Sequence, residues 1–361
     1  MKPFVPDKLP LEKINWEKFV HLIGNARAEV AHFNGVLESM PNPAVLLSPL
    51  TTQEAVLSSK IEGTRATLQE VLEYEADPRQ KTEKYNDIQE ILNYRKAMDF
   101  AVKELNSIPL SSRLIKNIHD ILLNSVRGQN QDRGNFRRIQ VHIGPDNNIE
   151  HASYVPPIAS NIPEHMSNLD KYFHYDEKDP LVQLAIVHAQ FEIIHPFNDG
   201  NGRVGRILMP IFLYFKKILS SPMFYLSAYF ESHREEYYKK LLGISQKGDW
   251  EGWIEYFLNA VIEQSRDNIK KAKAIHELYN IKKDKIVALT HSQFAIKALD
   301  FLFSFPIFSS SQFIKQSRIP KPTGMRILKL LEGGTVIKKI GKGAGRTPST
   351  YIFTKLIHIV G

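Results

Sequence analysis

The segment His195–Arg206, with the sequence HPFNDGNGRVGR, is the stretch from which fold and site can be inferred. Its twelve positions combine an imidazole, a carboxylate, amides, three glycines and two arginines, a mixture that core packing does not require. Glycines let backbone N–H groups approach a ligand closely, and arginines offer forked donors to phosphate oxygens. His195 can take up a proton near neutral pH, and Asp199 can hold a hard cation such as Mg²⁺. The residues therefore predict a phosphate-handling site with its own general base.

The three glycines of this segment also spell G-x-G-x-x-G, the dinucleotide-binding fingerprint. That fingerprint needs a strand before it and an acidic residue about twenty positions after it. The preceding stretch, 181–194, is apolar nearly all round and has the length of a buried helix. Position 225 is Tyr225, and the nearest acid is Glu231. The pattern instead favours a buried helix, a tight anion-binding turn, and a second helix that begins near Arg203 and attracts negative charge at its N-terminus.

The segment resembles the signature of Fic-domain proteins, H-P-F-x-[D/E]-G-N-G-R-x-x-R, and matches it at every position. Other stretches are similar to further parts of the same family; they are Pro41-Asn42-Pro43, Ser58–Thr64 (SSKIEGT), Gly134–Arg137 (GNFR), Val141–Gly144 (VHIG) and Tyr154–Pro157 (YVPP). The resemblance implies a mainly α protein, with a Fic-type helical core and a small β-hairpin flap. It also implies transfer of AMP from ATP to a hydroxyl side chain of a target protein or of the chain itself.

The resemblance implies a role for each polar residue of the segment. His195 would accept the proton of the attacking hydroxyl, Asp199 would hold Mg²⁺ between the α- and β-phosphates of ATP, and Arg206 would meet the γ-phosphate. The other nucleotide-binding positions that we expect in the segment are Gly200, Asn201, Gly202, Arg203, Val204 and Gly205. We expect contacts to the adenine ring from the region 229–238. His188 shares a helical face with His195, but no third ligand stands at zinc-like spacing, so we expect it to be packed in the core.

A second motif lies in the N-terminal region. The sequence Thr51-Thr52-Gln53-Glu54 predicts a capping box and a helix start, and Gly63 suits the C-terminal cap of that helix. Ser58 and Glu62 are four apart and share a face, and the helix dipole disfavours a carboxylate in the last turn by about 0.3–1 kcal/mol. In the family, S/T-x-x-x-E-G/N marks an inhibitory helix whose glutamate pairs with the second arginine, here Arg206. Ser58, Glu62 and Gly63 are therefore the expected inhibitory residues, with Glu62 beside the nucleotide; the alternative is a solvated glutamate at a helix end.

The region 139–155 predicts a β-hairpin. Alternation through Ile139, Val141 and Ile143 gives one strand, 144–148 the turn, and 149–155 the return strand with Tyr154 and Val155. As a flap, this hairpin could pair with an extended substrate segment and present a hydroxyl to His195. An ordinary surface hairpin is the alternative.

Length and composition set the wider frame. The 361 residues suggest two or three domains, which we place at 1–85 (N-terminal helical region), 86–262 (catalytic core), 263–289 (helical linker) and 290–361. The chain has no cysteine, no apolar run of membrane-spanning length and no signal-like start. We therefore expect a cytoplasmic protein with no membrane partner; a homodimer stays open.

The positive charge is concentrated at the C-terminus. Residues 290–361 contain eleven basic and two acidic residues, a net charge of +9 against −1 for the rest of the chain. Such asymmetry is typical of a nucleic-acid module, and the pattern of short helices and strands resembles a winged helix-turn-helix (α+β). Its third helix would enter a major groove, and the expected DNA-contacting residues are Lys321, Arg326, Lys329, Lys342 and Arg346. The alternative is a module for protein contacts.

Three classes of function remain in competition. The first is an adenylyltransferase that Glu62 inhibits. The second is an enzyme of the same fold that moves another nucleotide or phosphate-containing group, or that removes AMP with a water positioned by Glu62. The third is a DNA-binding regulator whose Fic core serves as a ligand sensor. The target protein and the modified side chain cannot be inferred from the residues.

Overall fold

A computed structural model describes residues 2–79, 82–126, 132–146, 148–341 and 348–361. The described residues are mainly α-helical, as expected. Their helices up to the signature segment are α1 (Val20–Ser39), α2 (Pro43–Leu46), α3 (Ser48–Ile61), α4 (Leu68–Ala76), α5 (Tyr85–Glu104), α6 (Ser112–Leu122), α7 (Ile162–Phe173) and α8 (Pro180–Ile194). Those that follow are α9 (Asn201–Phe215), α10 (Ser227–Ser232), α11 (Arg234–Lys247), α12 (Trp250–Thr290), α13 (Ala295–Ser304), α14 (Ser310–Ser317), α15 (Lys321–Gly333) and α16 (Thr354–Val360). None of the described helices is long and apolar enough to cross a membrane.

Helix α8 forms the centre of the catalytic region. Asp179 caps it by accepting hydrogen bonds from the N–H groups of Leu181 and Val182, and Pro180 provides a first-turn residue that needs no acceptor. Nearly every side chain of α8 is buried, because helices α7, α9 and α12 pack around it. The buried helix predicted for 181–194 is confirmed, and the helix that follows begins at Asn201, two residues before the predicted start.

Helix α12 connects the helices around α8 to residues 290–361. It is one continuous helix of 41 residues, capped by Asp249, whose side chain accepts from Gly252 N. The predicted linker, 263–289, lies inside it, and buried residues such as Ile269, Ile275 and Ile286 recur along it. Helix α1 runs against α12. The linker is therefore a packed helix, while the division into four segments stays a prediction.

Residues 290–361 are here called the C-terminal module. Its described residues, 290–341 and 348–361, form a small three-stranded antiparallel sheet with helices around it. The strands are β1 (Ile307–Ser309), β2 (Lys338–Gly341) and β3 (Thr350–Ile352), in the order β1-β3-β2. Aromatic rings fill its core, with Phe301 edge-on to Phe308 and to Phe313. Ser309 caps α14 through Gln312 N. The order of helices and strands agrees with the prediction; Lys342 and Arg346 lie outside the described residues.

The C-terminal module packs against the N-terminal region. Helices α13 and α16 contact α3, α13 also contacts α2, and β1 contacts α4. The hydroxyl of Ser48, the first residue of α3, donates to the carbonyl of Ser304 at 3.5 Å. Helix α3 is therefore enclosed between this module on one side and helices α5, α9 and α10 on the other.

The predicted capping box at residues 51–54 is wrong. Helix α3 begins earlier, at Ser48, with Pro49 in its first turn, where the fixed φ of proline suits a helix start. The hydroxyl of Thr51 instead lies 2.7 Å from that of Tyr225, and the Glu54 carboxylate accepts from the hydroxyl of Ser227 at 2.6 Å. These side chains attach α3 to the core instead of capping it.

The predicted hairpin is also wrong in its extent. Among the described residues of 132–146 and 148–160, its β pairing consists of a bridge between Ile143 and Tyr154, and Ile149–His151 forms a 3-10 turn. The Arg137 guanidinium donates to the carbonyls of Ile139 (3.0 Å) and Pro157 (2.5 Å). Arg137 therefore uses the Ile139 carbonyl, which a strand ladder would need. Pro157 has no N–H that could donate to a neighbouring strand.

The five predicted flap residues divide by burial. Ile139 and Ile143 are exposed, Val141 is half-buried, and Tyr154 and Val155 are buried. The Tyr154 hydroxyl donates to the carbonyl of Ile193 at 2.6 Å, which ties this region to the end of α8.

Candidate active site

The loop between α8 and α9 is shaped by two residues with positive φ. Helix α8 ends at Ile194, and its C-cap residue His195 has a φ of +50°; Gly200, with a φ of +78°, precedes the first residue of α9. The Asn201 side chain closes the loop: its Oδ1 accepts from Phe197 N and its Nδ2 donates to Phe197 O, both at 2.9 Å. The Oδ1 atom and one N–H of this amide are therefore used within the loop, and the role of Asn201 in nucleotide binding stays a prediction.

The N-terminus of α9 offers backbone donors. Helices leave the N–H groups of their first turn without intrahelical acceptors, and here the first helical bond runs from Val204 N to Gly200 O at 3.0 Å. The Glu62 carboxylate lies over Gly202, so closely that a β-carbon at this position would collide with it. A carboxylate therefore occupies the place at a helix N-terminus that favours an anion.

Arg206 is clamped by α3. Its guanidinium is buried and donates through Nη2 to Glu62 Oε1 (2.6 Å) and to the carbonyl of Ser58 (2.9 Å), and through Nε to the Ser58 hydroxyl (2.8 Å). Burial raises the pKa of Glu62, but the charge and hydrogen bond of Arg206 outweigh burial and leave the pKa below its usual value. The predicted pairing of Glu62 with Arg206 is present, which excludes a solvated helix-end glutamate; the two bonds from Arg206 to Ser58 were not predicted.

Gly63 allows α3 to end at this point. Its φ is +97°, a value that glycine adopts without strain. Gly63 N donates to Lys60 O at 3.0 Å, and Thr64 N donates to Ser59 O at 3.2 Å, the two bonds of a Schellman cap. The cap turns the chain away directly after Glu62, so that the carboxylate points to the core.

Arg203 has a different partner, which the sequence did not reveal. Its Nη1 donates to Glu90 Oε2 at 2.7 Å, and both side chains are only 1% exposed. Its Nη2 lies 3.5 Å from Asp199 Oδ1. Glu90 on α5 therefore fixes the arginine that approaches the predicted metal ligand.

We expect Glu90→Gln to destabilise the fold by about 3–5 kcal/mol, because it leaves the buried Arg203 without its countercharge. Urea denaturation of both chains measures the difference. Glu29→Gln is the matched control: its partner Arg266 is 63% exposed, so it should cost at most about 1 kcal/mol. Equal losses in the two variants would contradict this role for Glu90.

His195 is held as a neutral imidazole. Burial, followed by the charge of Arg137, lowers its pKa to about 4, although the backbone carbonyl of Glu192 and the charges of Glu62 and Asp199 act in the opposite direction. Arg137 also fixes the backbone here: its Nε donates to His195 O and its N–H donates to Pro196 O, both at 2.9 Å. An imidazole that is neutral near pH 7 can accept a proton.

His119 supports the loop from α6. Its Nδ1 accepts from Gly134 N at 2.9 Å, so its Nε2 carries the proton and donates to Asp199 O at 3.0 Å. The ring stacks on Phe197 with 3.8 Å between centroids. Burial lowers its pKa to about 4, which keeps this bonding pattern intact at neutral pH. No motif in the sequence indicated that His119 supports the loop.

Asp199 is the candidate metal ligand. Its side chain is 37% exposed, and its Oδ1 accepts from Gly200 N at 2.6 Å. No group of three or more His, Asp or Glu side chains that could hold a metal occurs in the described part of the chain. A single carboxylate fits Mg²⁺, which is commonly bound by one or two carboxylates together with substrate phosphates and water.

Two other predicted positions lie inside the helical core. Val204 is fully buried, and Gly205 lies against the Glu192 carboxyl on α8; their role in nucleotide binding stays a prediction. His188 is packed as expected: it is buried, its Nε2 lies 2.9 Å from the Tyr237 hydroxyl, and burial lowers its pKa to about 3.

These features define a class of protein: a helical domain with a cationic, glycine-rich loop at the N-terminus of a buried helix. Two family models match the chain, the Fic/DOC family N-terminal model at residues 20–103 and the Fic/DOC family model at residues 109–213. The chain belongs to the Fic/DOC family.

Curated relatives and solved structures agree with this family. The chain is 29% identical over 167 residues to a probable protein adenylyltransferase of Aquifex aeolicus, which covers 45% of this chain and 48% of that protein. It is 31% identical over 120 residues to the protein adenylyltransferase Fic of Drosophila yakuba, or 31% of this chain and 22% of the relative. The chain thus spans half or less of these relatives. A Fic family protein from Desulfovibrio desulfuricans shares the fold over 98% of both chains, with a TM-score of 0.58 at 20% identity.

Proposed function

We propose that this protein is an adenylyltransferase that moves AMP from ATP to a hydroxyl side chain of a target protein or of itself, and that Glu62 inhibits it. The proposal rests on the contacts of Glu62 and Ser58 with Arg206, next to a neutral His195 and the N-terminus of α9. The names of the relatives support the same reaction.

The geometry suits the chemistry of this transfer. His195 takes the proton of the hydroxyl while the hydroxyl oxygen attacks the α-phosphorus and pyrophosphate leaves. Backbone N–H groups at the start of α9 and the Arg203 guanidinium stabilise the negative charge on the phosphate oxygens. Asp199 would hold Mg²⁺, which would neutralise phosphate charge.

The inhibition follows from competition for one guanidinium. Arg206 would bind the γ-phosphate, but its Nη2 and Nε are both used by α3. The Glu62 carboxylate also occupies the anion-favouring position over Gly202. ATP in this site would lack the contact between Arg206 and its γ-phosphate, so its α-phosphorus would be poorly aligned for attack.

Intact-mass spectrometry of Glu62→Gly with ATP, GTP, UTP or CTP tests the proposal. We expect a mass increase of one AMP with ATP, on the chain or on an added target protein. A different adduct would indicate an enzyme that moves another nucleotide. Loss of AMP from a modified protein, measured with the native chain because Glu62 would position the water, would indicate AMP removal by hydrolysis. No adduct with any nucleotide would overturn the proposed activity.

A second function, duplex DNA binding by the C-terminal module, is favoured by the element order of a winged helix and by its net charge of +9. Lys321 and Lys329 are exposed along α15, as a recognition helix requires. Arg326 is less available, because its Nη1 donates to the carbonyl of Thr290 at 3.3 Å.

We expect Lys321→Ala/Lys329→Ala to weaken DNA binding and to reduce the slope of log affinity against log salt by about 1.8, since each phosphate contact contributes about 0.9. Fluorescence anisotropy with a labelled duplex at several salt concentrations measures both. Lys103→Ala, an exposed change on α5, should leave the slope unchanged. An affinity that does not depend on salt would contradict an electrostatic interface.

A further inference from the structure

Glu192 lies on α8 against Gly205 of α9, beside the clamped arginine. Its Oε1 is shielded from solvent and has no hydrogen-bond partner among the described residues. A β-carbon on Gly205 would collide with this oxygen, so the glycine provides the space that the carboxyl occupies. A carboxyl oxygen that is shielded from solvent and has no partner is costly, which suggests that the partner of Oε1 belongs to another state of the site.

The titratable and charged groups that interact electrostatically with Glu192 are Arg206 on α9, Glu62 at the end of α3, and the hydroxyls of Tyr237 and Tyr238 on α11. Burial raises the pKa of Glu192 to about 8; Arg206 lowers it and Glu62 raises it. Near pH 7 Glu192 is therefore neutral while Glu62 carries the charge that pairs with Arg206.

Withdrawal of Glu62 changes this balance in two ways. The buried Arg206 loses its countercharge, a situation that is strongly unfavourable. At the same time the charge that raises the pKa of Glu192 disappears, and the guanidinium that lowers it becomes unpaired. Both changes favour loss of the Glu192 proton to bulk water.

We propose that Glu192 is a positioning residue for Arg206. When Glu62 withdraws, the Glu192 carboxylate becomes the counter-ion of Arg206 and holds the guanidinium ready for the γ-phosphate. This inference rests on the proposed function, because it describes the released state of the same inhibited site. It adds a second carboxyl to the clamp, supplied by the helix that carries His195.

The sign of the pH effect follows from the protons bound. The inhibited state keeps the Glu192 proton up to about pH 8, whereas the released state loses it at a lower pH. Release therefore becomes more favourable as the pH rises towards 8 and levels off above it. One proton gives at most about a tenfold change per pH unit.

The test is the rate of AMP labelling of the native chain divided by that of Glu62→Gly, measured from pH 6 to 9.5. The ratio cancels the effects of pH that both chains share, and His195, with a pKa of about 4, lies outside the range measured. We expect it to rise several-fold up to about pH 8. The same ratio for Glu192→Gln and Glu62→Gly/Glu192→Gln should be flat, and Glu192→Asp, which keeps an ionisable group, should restore the slope.

A flat ratio in the native pair, or an equal slope with Glu192→Gln, would overturn the role of Glu192. Should the glutamine variant not fold, ¹³C NMR of glutamate carboxyls in the native chain and in Glu62→Gly decides the matter. A carboxyl that titrates near pH 8 in the first and lower in the second supports the proposal; no such shift overturns it. If Glu62→Gly shows no labelling at any pH, the proposed function fails instead.

Discussion

His195→Ala, introduced into a chain that also carries Glu62→Gly, should lower AMP transfer by about 10²–10⁴-fold, the usual contribution of a general base. The reason is that the neutral imidazole is the proton acceptor beside the loop, with its backbone fixed by Arg137. ATP binding should persist, because phosphate contacts come from α9. Initial rates of labelling and calorimetric titration with ATP measure the two properties separately.

The control for this prediction is His21→Ala, which removes an exposed imidazole of α1 and should leave the rate unchanged. A His195→Ala chain that transfers AMP at the rate of its parent would remove His195 as the base. Loss of ATP binding together with activity would show instead that the side chain supports the structure of the loop.

Glu62→Gly alone should raise AMP transfer by about ten- to a hundredfold. Each tenfold corresponds to about 1.4 kcal/mol of inhibitory free energy, which is reasonable for a partly buried ion pair of 2.6 Å. Glycine suits position 62, the C-cap that follows the last residue of α3, because the chain leaves the helix there. Rates of labelling at saturating ATP for the native and variant chains measure the effect.

The comparison needs a carboxylate that lies away from the site. Glu12→Gly removes an exposed glutamate of the N-terminal coil and should leave the rate as it is. Unchanged labelling in Glu62→Gly would refute autoinhibition, even though the ion pair is present in the structure.

The central parts of the fold could be predicted because local signals agree there. The apolar run of 181–194 can be satisfied only by burial, and the glycines after it require a turn, so the helix–loop–helix around the site follows from the residues. The pairing of Glu62 with Arg206 was inferred from resemblance, and the structure brings the two together.

The partners of the site could not be predicted, because they come from distant parts of the chain. Glu90 is 113 positions from Arg203, and His119 is 80 positions from Asp199; no local pattern connects them. Long-range contacts also explain the errors. Glu54 resembled a capping residue but binds Ser227. In the predicted strand at 139–143, the Ile139 carbonyl accepts a hydrogen bond from Arg137 and not from a partner strand.

The most direct measurement incubates Glu62→Gly with ATP labelled either at the α- or at the γ-phosphate and follows label on protein. Transfer of AMP predicts incorporation from the α-labelled nucleotide alone, and its loss when His195→Ala is added. Incorporation from the γ-labelled nucleotide, or α-label that persists without His195, would contradict a site in which this imidazole activates a hydroxyl against the α-phosphate.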